Sequence, residues 1–337
     1  MTRGNTARIS VGVAVSAVLL ALLLKAVDPA QLVDDIRQSD WRLLLPATAL
    51  YFVGVWVRSI RWSLLLPRET RNQANIFRAL IVGFTVNNVV PIRLGEIGRA
   101  YLLARWDGVP YGSTIASIVV ERILDGLTLS ALLVLGMLFV SPPAYLVGLA
   151  AALAAVFVGG AIGVAIAAWR TSALVAVAAW VARWLPARLG LLLVRLAEGF
   201  AGSLGVIRGV PLLLTLAGLS LVAWMIELSV FWLLMLAFPI QPSFADAAIV
   251  GTLANFATAI PSSPGYVGTF DGAIVRVLGD LQPAVSTGVA AAYALVLHAV
   301  LFIPVTLVGI AILWRANLSL GELTRGSRAS LAPSAAE

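Results

Sequence analysis

The sequence predicts an all-α polytopic membrane protein, and three observations support this fold class. Of the 337 residues, 61% are hydrophobic and only 12% are charged, which leaves too little polar surface for a soluble domain. Several apolar runs exceed the roughly 18 residues that cross a bilayer as a helix. These runs are continuous rather than alternating, so an outer-membrane β-barrel is not expected.

Six long apolar segments predict transmembrane helices, at about 8–26, 41–66, 113–140, 143–168, 210–238 and 284–314. The first resembles a signal peptide, but its apolar part is longer than usual and no small-x-small cleavage site follows. We therefore expect an uncleaved first span. Two further apolar stretches, 76–92 and 245–262, end in polar sequence that contains proline.

The arginines predict the orientation, because cytoplasmic loops are enriched in basic residues. Arginines precede span one and follow spans two, four and six, whereas the alternate loops are poor in arginine or acidic. The group placed after span two, on the cytoplasmic side, is Arg58, Arg61, Arg68, Arg71 and Arg78. Both termini are thus expected in the cytoplasm, with the chain in the inner membrane of a bacterial or archaeal cell. The net charge of +7 then reflects loops beside anionic lipid rather than a nucleic-acid partner.

Both flanks of each short stretch should lie on the same side of the membrane, so each stretch is predicted to be a re-entrant hairpin. The two hairpins would enter from opposite faces and divide the single membrane domain, 1–337, into inverted repeats 1–140 and 141–320. "GFTVN" at 83–87 and "GTLAN" at 251–255 share Gly-x-x-x-Asn. Inverted repeats with broken segments are typical of transporters, and the breaks point to the substrate site. Eight full spans without symmetry remain an alternative.

Two cytoplasmic segments complete this organisation. Residues 170–208 combine spaced arginines with tryptophans and are expected to form amphipathic helices on the membrane surface. Residues 321–337 are expected to be a disordered tail.

The first candidate site is "NNVVPIRLGEIGRA" at 87–100, where polar residues interrupt an apolar segment. Glu96 and Arg99 are three apart and share a helix face. A carboxylate could hold the arginine while leaving it available to a phosphate or another anionic headgroup. The alternative is a cytoplasmic ion pair that fixes a loop.

The second candidate site is "ERILD" at 121–125, inside the third predicted span. Charges at this depth are rare and are usually functional or paired. Glu121 and Asp125 share one face with Arg122 near both. Arg122 could bind a lipid phosphate, and a carboxylate could carry a proton or bind a headgroup amine. Alternatively, the three groups neutralise one another within the bundle.

The third candidate site is "PSSPGYVGTFDGA" at 261–273, which is too rich in proline and glycine for a regular helix. Its hydroxyls, glycines and one carboxylate, Asp271, suit polar recognition or a flexible gate, although an ordinary external loop is the alternative. Glu227, alone in span five, and His298 are candidate proton-relay groups. A buried histidine with only a hydrogen-bonding role is the alternative for His298.

The sequence contains no cysteine, no catalytic-triad or HExxH pattern and no phosphate-binding glycine loop. We therefore expect no cofactor, no metal and no enzymatic activity, and binding with translocation is favoured over chemistry.

Together, "NNVVPIRLGEIGRAYLL", "ERILDGL" and "PSSPGYVGTFDGA" resemble the lysylphosphatidylglycerol synthase transmembrane region, a flippase-like membrane family, over nearly the whole chain. The resemblance implies functional roles for Pro91, Gly95, Glu96, Arg99, Glu121, Arg122, Asp125, Pro261, Pro264, Gly265 and Gly268. Tyr266 stands where the family usually has a second glycine, and Asp271 where it often has glutamate. The chain ends in a short polar tail, so a stand-alone member without the synthase domain is expected.

The resulting hypothesis is a lipid translocase that moves an anionic or aminoacylated phospholipid, or a lipid-linked intermediate, between leaflets. The predicted substrate-binding set is Asn87, Asn88, Pro91, Arg93, Gly95, Glu96, Arg99, Glu121, Arg122, Asp125, Asn255, Pro261, Ser262, Ser263, Pro264, Gly265, Gly268 and Asp271. A phosphate-bearing lipid is the expected partner, together with a separate lipid-synthesis enzyme. The alternatives are a transferase acting on polyprenyl-phosphate sugar, with Asp271 or Glu121 as base, or an accessory subunit of a hopanoid or glycolipid pathway.

Overall fold

The protein is described from a computed structural model that covers residues 28–90, 94–187, 209–260 and 262–318, with 189–191, 193–194 and 197–198. These residues are mostly α-helical and include no β-strand, which confirms the all-α class. The first predicted span, the tail 321–337 and the predicted site residues Pro91, Arg93 and Pro261 lie outside the described residues.

The described residues form eleven main helices. In chain order they are α1 Pro29–Gln38, α2 Leu44–Leu64, α3 Gln73–Val89, α4 Gly95–Asp107, α5 Tyr111–Met137, α6 Ala144–Trp169, α7 Thr171–Ala182, α8 Val210–Met235, α9 Phe244–Ala257, α10 Thr269–Leu281 and α11 Thr287–Arg315. Short 3-10 turns occur at Trp41–Leu43, Arg68–Thr70 and Pro264–Tyr266.

Four helical segments are long and apolar enough to cross a membrane: Trp41–Leu64, Ala144–Ile166, Val210–Met235 and Thr287–Arg315. They coincide with four of the predicted spans. α5 coincides with a fifth, and its 27 residues extend over about 40 Å, which exceeds the ~30 Å hydrocarbon core of a bilayer. α5 differs from these four segments in carrying three charged residues, Glu121, Arg122 and Asp125, near its middle.

The segment 170–208 begins with α7, whose twelve residues carry no charge. Arg170 and Arg183 lie at its two ends, and the rings of Trp180 and Trp184 meet edge to face at 6.4 Å. On α7 the arginines therefore flank an apolar helix rather than follow one face of it. The amphipathic helices expected over the whole segment stay a prediction.

α3 and α4 form an antiparallel hairpin around the first candidate site. At the open end Asn75 donates a hydrogen bond to Asp107 (2.7 Å), and at the closed end the Gly95 N–H donates to Asn87 Oδ1 (2.8 Å). The helices approach closely because Gly95 has no side chain: a Cβ there would overlap the carbonyl oxygen of Gly83.

α9 and α10 form a second antiparallel hairpin around the third candidate site. α9 begins with a capping box between Ser243 and Asp246. Gln282, the first residue after α10, donates to the Asp246 carboxylate at 2.9 Å and closes the open end of the hairpin. Both short stretches thus turn back as predicted, although their depth in a bilayer stays a prediction.

The hairpin helices are shorter than the bilayer core. α3 has 17 residues, α4 and α10 have 13 each and α9 has 14, which gives lengths of about 20–26 Å. A hairpin of this length enters a ~30 Å core without crossing it. The lengths therefore favour re-entrant hairpins over eight full spans.

The helices α2–α5 and α8–α11 pack as two matching sets. α3 packs against α11 just as α9 packs against α5, and α2 contacts α3 just as α8 contacts α9. α2 and α8 pack against each other at the centre, where Gly54 lies against Ile226. Among these eight helices, each main contact made by a helix of the first set thus has an equivalent made by the corresponding helix of the second set. This is the pattern expected of a structural repeat.

Candidate functional site

The two hairpins close a cavity of about 270 Å³ between their tips and the central helices. The tips meet directly, since a Cβ placed on Gly265 would lie 3.5 Å from the carbonyl oxygen of Asn88. The walls carry charged, amide and aromatic side chains, and they include Tyr51, Arg58, Phe84, Asn87, Asn88, Glu96, Arg122, Asp125, Phe157, Trp224, Glu227, Asn255, Phe256, Tyr266, Phe270 and Phe302. The cavity is thus polar on one part of its wall and aromatic on another.

An ion pair joins the two sets of helices at the cavity wall. Arg58 on α2 contacts Glu227 on α8 at 2.6 Å, and both side chains are buried. The Arg58 guanidinium also lies over the Trp224 ring, 4.5 Å from its centroid. Asn255 on α9 donates to the other Glu227 oxygen at 3.1 Å. Glu227, expected to be alone in its span, therefore has two partners, and a proton-relay role for it stays a prediction.

Glu121 on α5 binds two arginines from different helices. Arg99 on α4 donates to both Glu121 oxygens, at 2.9 and 3.3 Å, and lies over the Trp62 ring. Arg122 also contacts Glu121 and reaches Asp125 at 3.2 Å. The Arg122 side chain is 45% exposed and lines the cavity, whereas Arg99 is only 3% exposed.

The prediction that Arg99 is available to a headgroup was therefore wrong. Its partner is Glu121 and not Glu96, because the α4–α5 contact buries Arg99 on the side away from the cavity. Glu96 lines the cavity instead and accepts a hydrogen bond from Asn87 (3.3 Å). The two residues lie on the same helix, but Glu96 lines the cavity whereas Arg99 contacts Glu121 on α5.

Asp125 pairs with a second arginine, Arg61, in addition to Arg122. Arg61 on α2 contacts Asp125 Oδ1 at 2.6 Å and Ser220 at 2.7 Å, and the Trp224 indole N–H donates to the same Oδ1 at 2.9 Å. Arg61 is fully buried. Assigning Arg58 and Arg61 to a cytoplasmic loop after span two was wrong, because both lie within α2 and face carboxylates of the bundle.

The charges of this cluster balance. Four guanidinium groups face four carboxylates: Arg58, Arg61, Arg99 and Arg122 against Glu96, Glu121, Asp125 and Glu227. Buried ion pairs of this kind carry a large desolvation cost, so they are a poor means of stabilising a fold. In a membrane segment such groups mark a functional region.

The tip of the second hairpin is held by Asp271. One Asp271 oxygen accepts from the Gly268 N–H (2.9 Å) at the start of α10, and the other lies 2.7 Å from His298 Nδ1 on α11. Asp271 is fully buried and is absent from the cavity wall. It fixes the hairpin tip, and its burial gives no support to a role as general base.

The same tip carries an unusual backbone. Gly265, Tyr266 and Gly268 have φ of 72°, 61° and 87°, a region that favours glycine. Tyr266, which replaces the glycine of the resembled family, therefore keeps a glycine-like backbone conformation. Its ring packs against Phe302 at 6.1 Å and forms part of the cavity wall.

The structure thus separates the predicted set into groups. The predicted residues that line the cavity are Asn87, Asn88, Glu96, Arg122, Asp125, Asn255 and Glu227. The other predicted residues that the structure describes do not line it: Gly95, Arg99, Glu121, Ser262, Ser263, Pro264, Gly265, Gly268, Asp271 and His298. Pro91, Arg93 and Pro261 lie outside the described residues.

Sequence reasoning missed the contribution of α2 and the aromatic wall. Tyr51 and Arg58 line the cavity from α2, and Trp224 lines it from α8. A signal for Arg58 and Arg61 was present: both interrupt the apolar run "YFVGVWVRSIRWSLLL" three residues apart, on one helix face.

This fold and cavity define a multi-pass helical membrane protein with a charged chamber between two broken hairpins. The sequence model described as "Lysylphosphatidylglycerol synthase TM region" matches residues 9–309, and the chain belongs to that family.

The chain is also similar to archaeal proteins. It is 28% identical to "Glycosyltransferase AglD" of Haloferax volcanii over an alignment that covers 92% of this chain and 54% of that protein. The chain therefore spans about half the length of this relative. It is 24% identical to a "UPF0104 membrane protein" of Methanothermobacter thermautotrophicus, covering 77% of this chain and 79% of that one.

Proposed function

We propose that the protein is a lipid translocase in which a polar headgroup passes through the cavity between the hairpins while the acyl chains stay in the bilayer. The observation that carries the proposal is the shared wall. Both hairpin tips line one charged cavity, and the contacts across it, such as Arg58 to Glu227, join the two matching sets of helices. Broken segments around a polar site between repeats are the usual transporter arrangement.

Movement follows from the same arrangement. If one set of helices rocks against the other, the cavity opens to each leaflet in turn, and the ion pairs between the sets separate and re-form. Arg122 is the arginine best placed to meet the headgroup, because it lines the cavity with a side chain that is 45% exposed while its carboxylate partners hold it in place. The inner-membrane location and the cytoplasmic termini are part of this proposal.

The test is lipid movement in vesicles that contain the purified full chain. Fluorescent acyl-labelled lipids in the inner leaflet should become accessible to dithionite faster than in empty vesicles. Arg122→Ala should slow this by about tenfold, the loss expected from removing one charge-assisted hydrogen bond of roughly 1.5 kcal/mol. The matched control is Arg276→Ala on α10, since Arg276 is 71% exposed and pairs with Asp280 away from the cavity. Equal rates in empty and protein-containing vesicles for every lipid tried would overturn the proposal.

A transferase acting on a lipid-linked sugar is the second candidate, because one relative bears the name of a glycosyltransferase. The two carboxylates proposed as its base are poorly placed: Asp271 and Glu121 are buried, and their oxygens already contact other groups of the protein. Product formation from a polyprenyl-phosphate sugar by the purified chain would favour this candidate. In either case a separate lipid-synthesis enzyme is the proposed partner.

A further inference from the structure

The arginines on the cavity wall are already neutralised. Arg58 pairs with Glu227, and Arg122 pairs with Glu121 and Asp125. A phosphate that entered the cavity would compete with these carboxylates for the guanidinium groups, and it would meet Glu96 on the same wall. The geometry therefore disfavours an anionic group inside the cavity, where charge repulsion is weakly screened.

The amide and carboxylate groups of the wall suit hydroxyl groups instead. Asn87 donates to Glu96 at the first hairpin, and Asn255 donates to Glu227 at the second. The Asn255 amide nitrogen also donates to the Gly251 carbonyl (2.9 Å), so its oxygen is the atom that it offers to a ligand. A side-chain amide beside a carboxylate presents donors and acceptors within a few ångströms. Neighbouring hydroxyls on a sugar ring both donate and accept hydrogen bonds, so an amide and a carboxylate side by side can bind two of them at once.

Much of the remaining wall is aromatic. Trp224, Tyr266 and Phe302 line the cavity, and Phe157 stacks on Phe256 with ring centroids 5.5 Å apart. The face of an aromatic ring is electron-rich, so it attracts the weakly positive C–H groups on the flat side of a pyranose. A cavity of about 270 Å³ is slightly smaller than the usual ligand pocket of about 300–1,000 Å³, and this size suits a single sugar ring.

We propose that the cavity receives the neutral, hydroxyl-rich headgroup of a glycolipid. Asn87 and Glu96 of the first hairpin, together with Asn255 of the second hairpin and its partner Glu227 on α8, bind the hydroxyls, and the aromatic side chains of the wall cover the ring. This inference rests on the proposed translocase function. It differs from that function in naming the headgroup, and the two can fail separately.

The experiment compares three acyl-labelled probes in the same reconstituted vesicles: glucosyl-diacylglycerol, phosphatidylglycerol and lysylphosphatidylglycerol. We expect glucosyl-diacylglycerol to move fastest. If phosphatidylglycerol or lysylphosphatidylglycerol moves as fast or faster, the headgroup assignment is wrong while the translocase function stands. If none moves faster than in empty vesicles, both are wrong.

Two variants test the assigned contacts through the ratio of rates, because a general folding defect lowers all rates together. Asn255→Ala should lower the glycolipid-to-phosphatidylglycerol ratio about fivefold, the effect of one hydrogen bond. Asn75→Ala, at the open end of the first hairpin, should leave the ratio unchanged. Glu96→Gln should raise phosphatidylglycerol movement relative to the wild type, since it removes a repelling charge. Unchanged ratios in both Asn255→Ala and Glu96→Gln would overturn the proposal.

Discussion

At the scale of residues, the central feature is that Arg99 and Glu121 are both almost fully buried and form two hydrogen bonds with each other. Because neither side chain lines the cavity, their role is to hold α4 and α5 together behind it. Arg122, which lines the cavity, forms an ion pair with the same Glu121 carboxylate. One residue, Glu121, therefore supports both the wall and the group that faces the ligand.

Removing the charge of Glu121 should destabilise the protein. Glu121→Gln leaves the buried Arg99 guanidinium without a counter-charge, at a cost of about 3 kcal/mol. The thermal unfolding midpoint in detergent should fall clearly below that of the wild type. Arg276→Ala, which breaks an exposed pair, should leave the midpoint nearly unchanged. Equal midpoints for the two variants would show that the Arg99–Glu121 pair does not hold the helices.

The left-handed backbone at Tyr266 gives a second prediction. Tyr266→Gly and Tyr266→Ala both remove the ring, so they differ mainly in how readily they adopt a φ of 61°. The glycine variant should be more stable than the alanine variant by about 1 kcal/mol. Thermal unfolding of the matched pair measures this difference. An alanine variant as stable as the glycine variant would contradict the described conformation of the tip.

At the scale of elements, α3 and α11 cross at a close contact. The Thr85 hydroxyl lies within hydrogen-bond distance of the Ile81 and Val305 carbonyls, and Gly309 faces it across the crossing. A Cβ on Gly309 would overlap the Thr85 hydroxyl oxygen. This crossing attaches the first hairpin to a helix of the other set.

The same substitution at two glycines tests this crossing. Gly309→Ala should destabilise the protein by about 1–3 kcal/mol because the helices must move apart. Gly163→Ala on α6, where nothing lies near the added methyl group, should be neutral or stabilising by up to ~1 kcal/mol. Unfolding midpoints in detergent distinguish the two outcomes. Similar shifts in both variants would contradict the close α3–α11 approach.

Local sequence signals predicted the elements better than the contacts. The apolar runs predicted the helices, and the proline and glycine residues at 87–95 and 261–273 predicted both hairpin turns. Both signals depend only on residues that are close together in the sequence. The partner of Arg99 was not predictable, because Glu96 is near in sequence whereas Glu121 reaches Arg99 only through the packing of α4 on α5. Arg58 and Arg61 were misplaced because the rule for loop arginines was applied to residues inside a helix.

At the scale of the whole molecule, the two sets of helices make equivalent contacts, and each set supplies one hairpin tip to the cavity. The sets also meet through polar contacts that can break and re-form, including the hydrogen bond of 2.9 Å from Asn88 on α3 to Thr306 on α11. In a rigid cavity these contacts between the sets would stay formed. Our account requires that they separate in every transport cycle.

The most direct test of this central claim links the two sets across that contact. The chain has no cysteine, so Asn88→Cys with Thr306→Cys can be joined by a short bifunctional thiol reagent and released by a reductant. The account predicts that linked protein in vesicles moves lipid no faster than empty vesicles and recovers on reduction, while the same treatment leaves the rate of each single-cysteine variant at its untreated value. Lipid movement at an unchanged rate in the fully linked protein would contradict passage of the headgroup between the two hairpins.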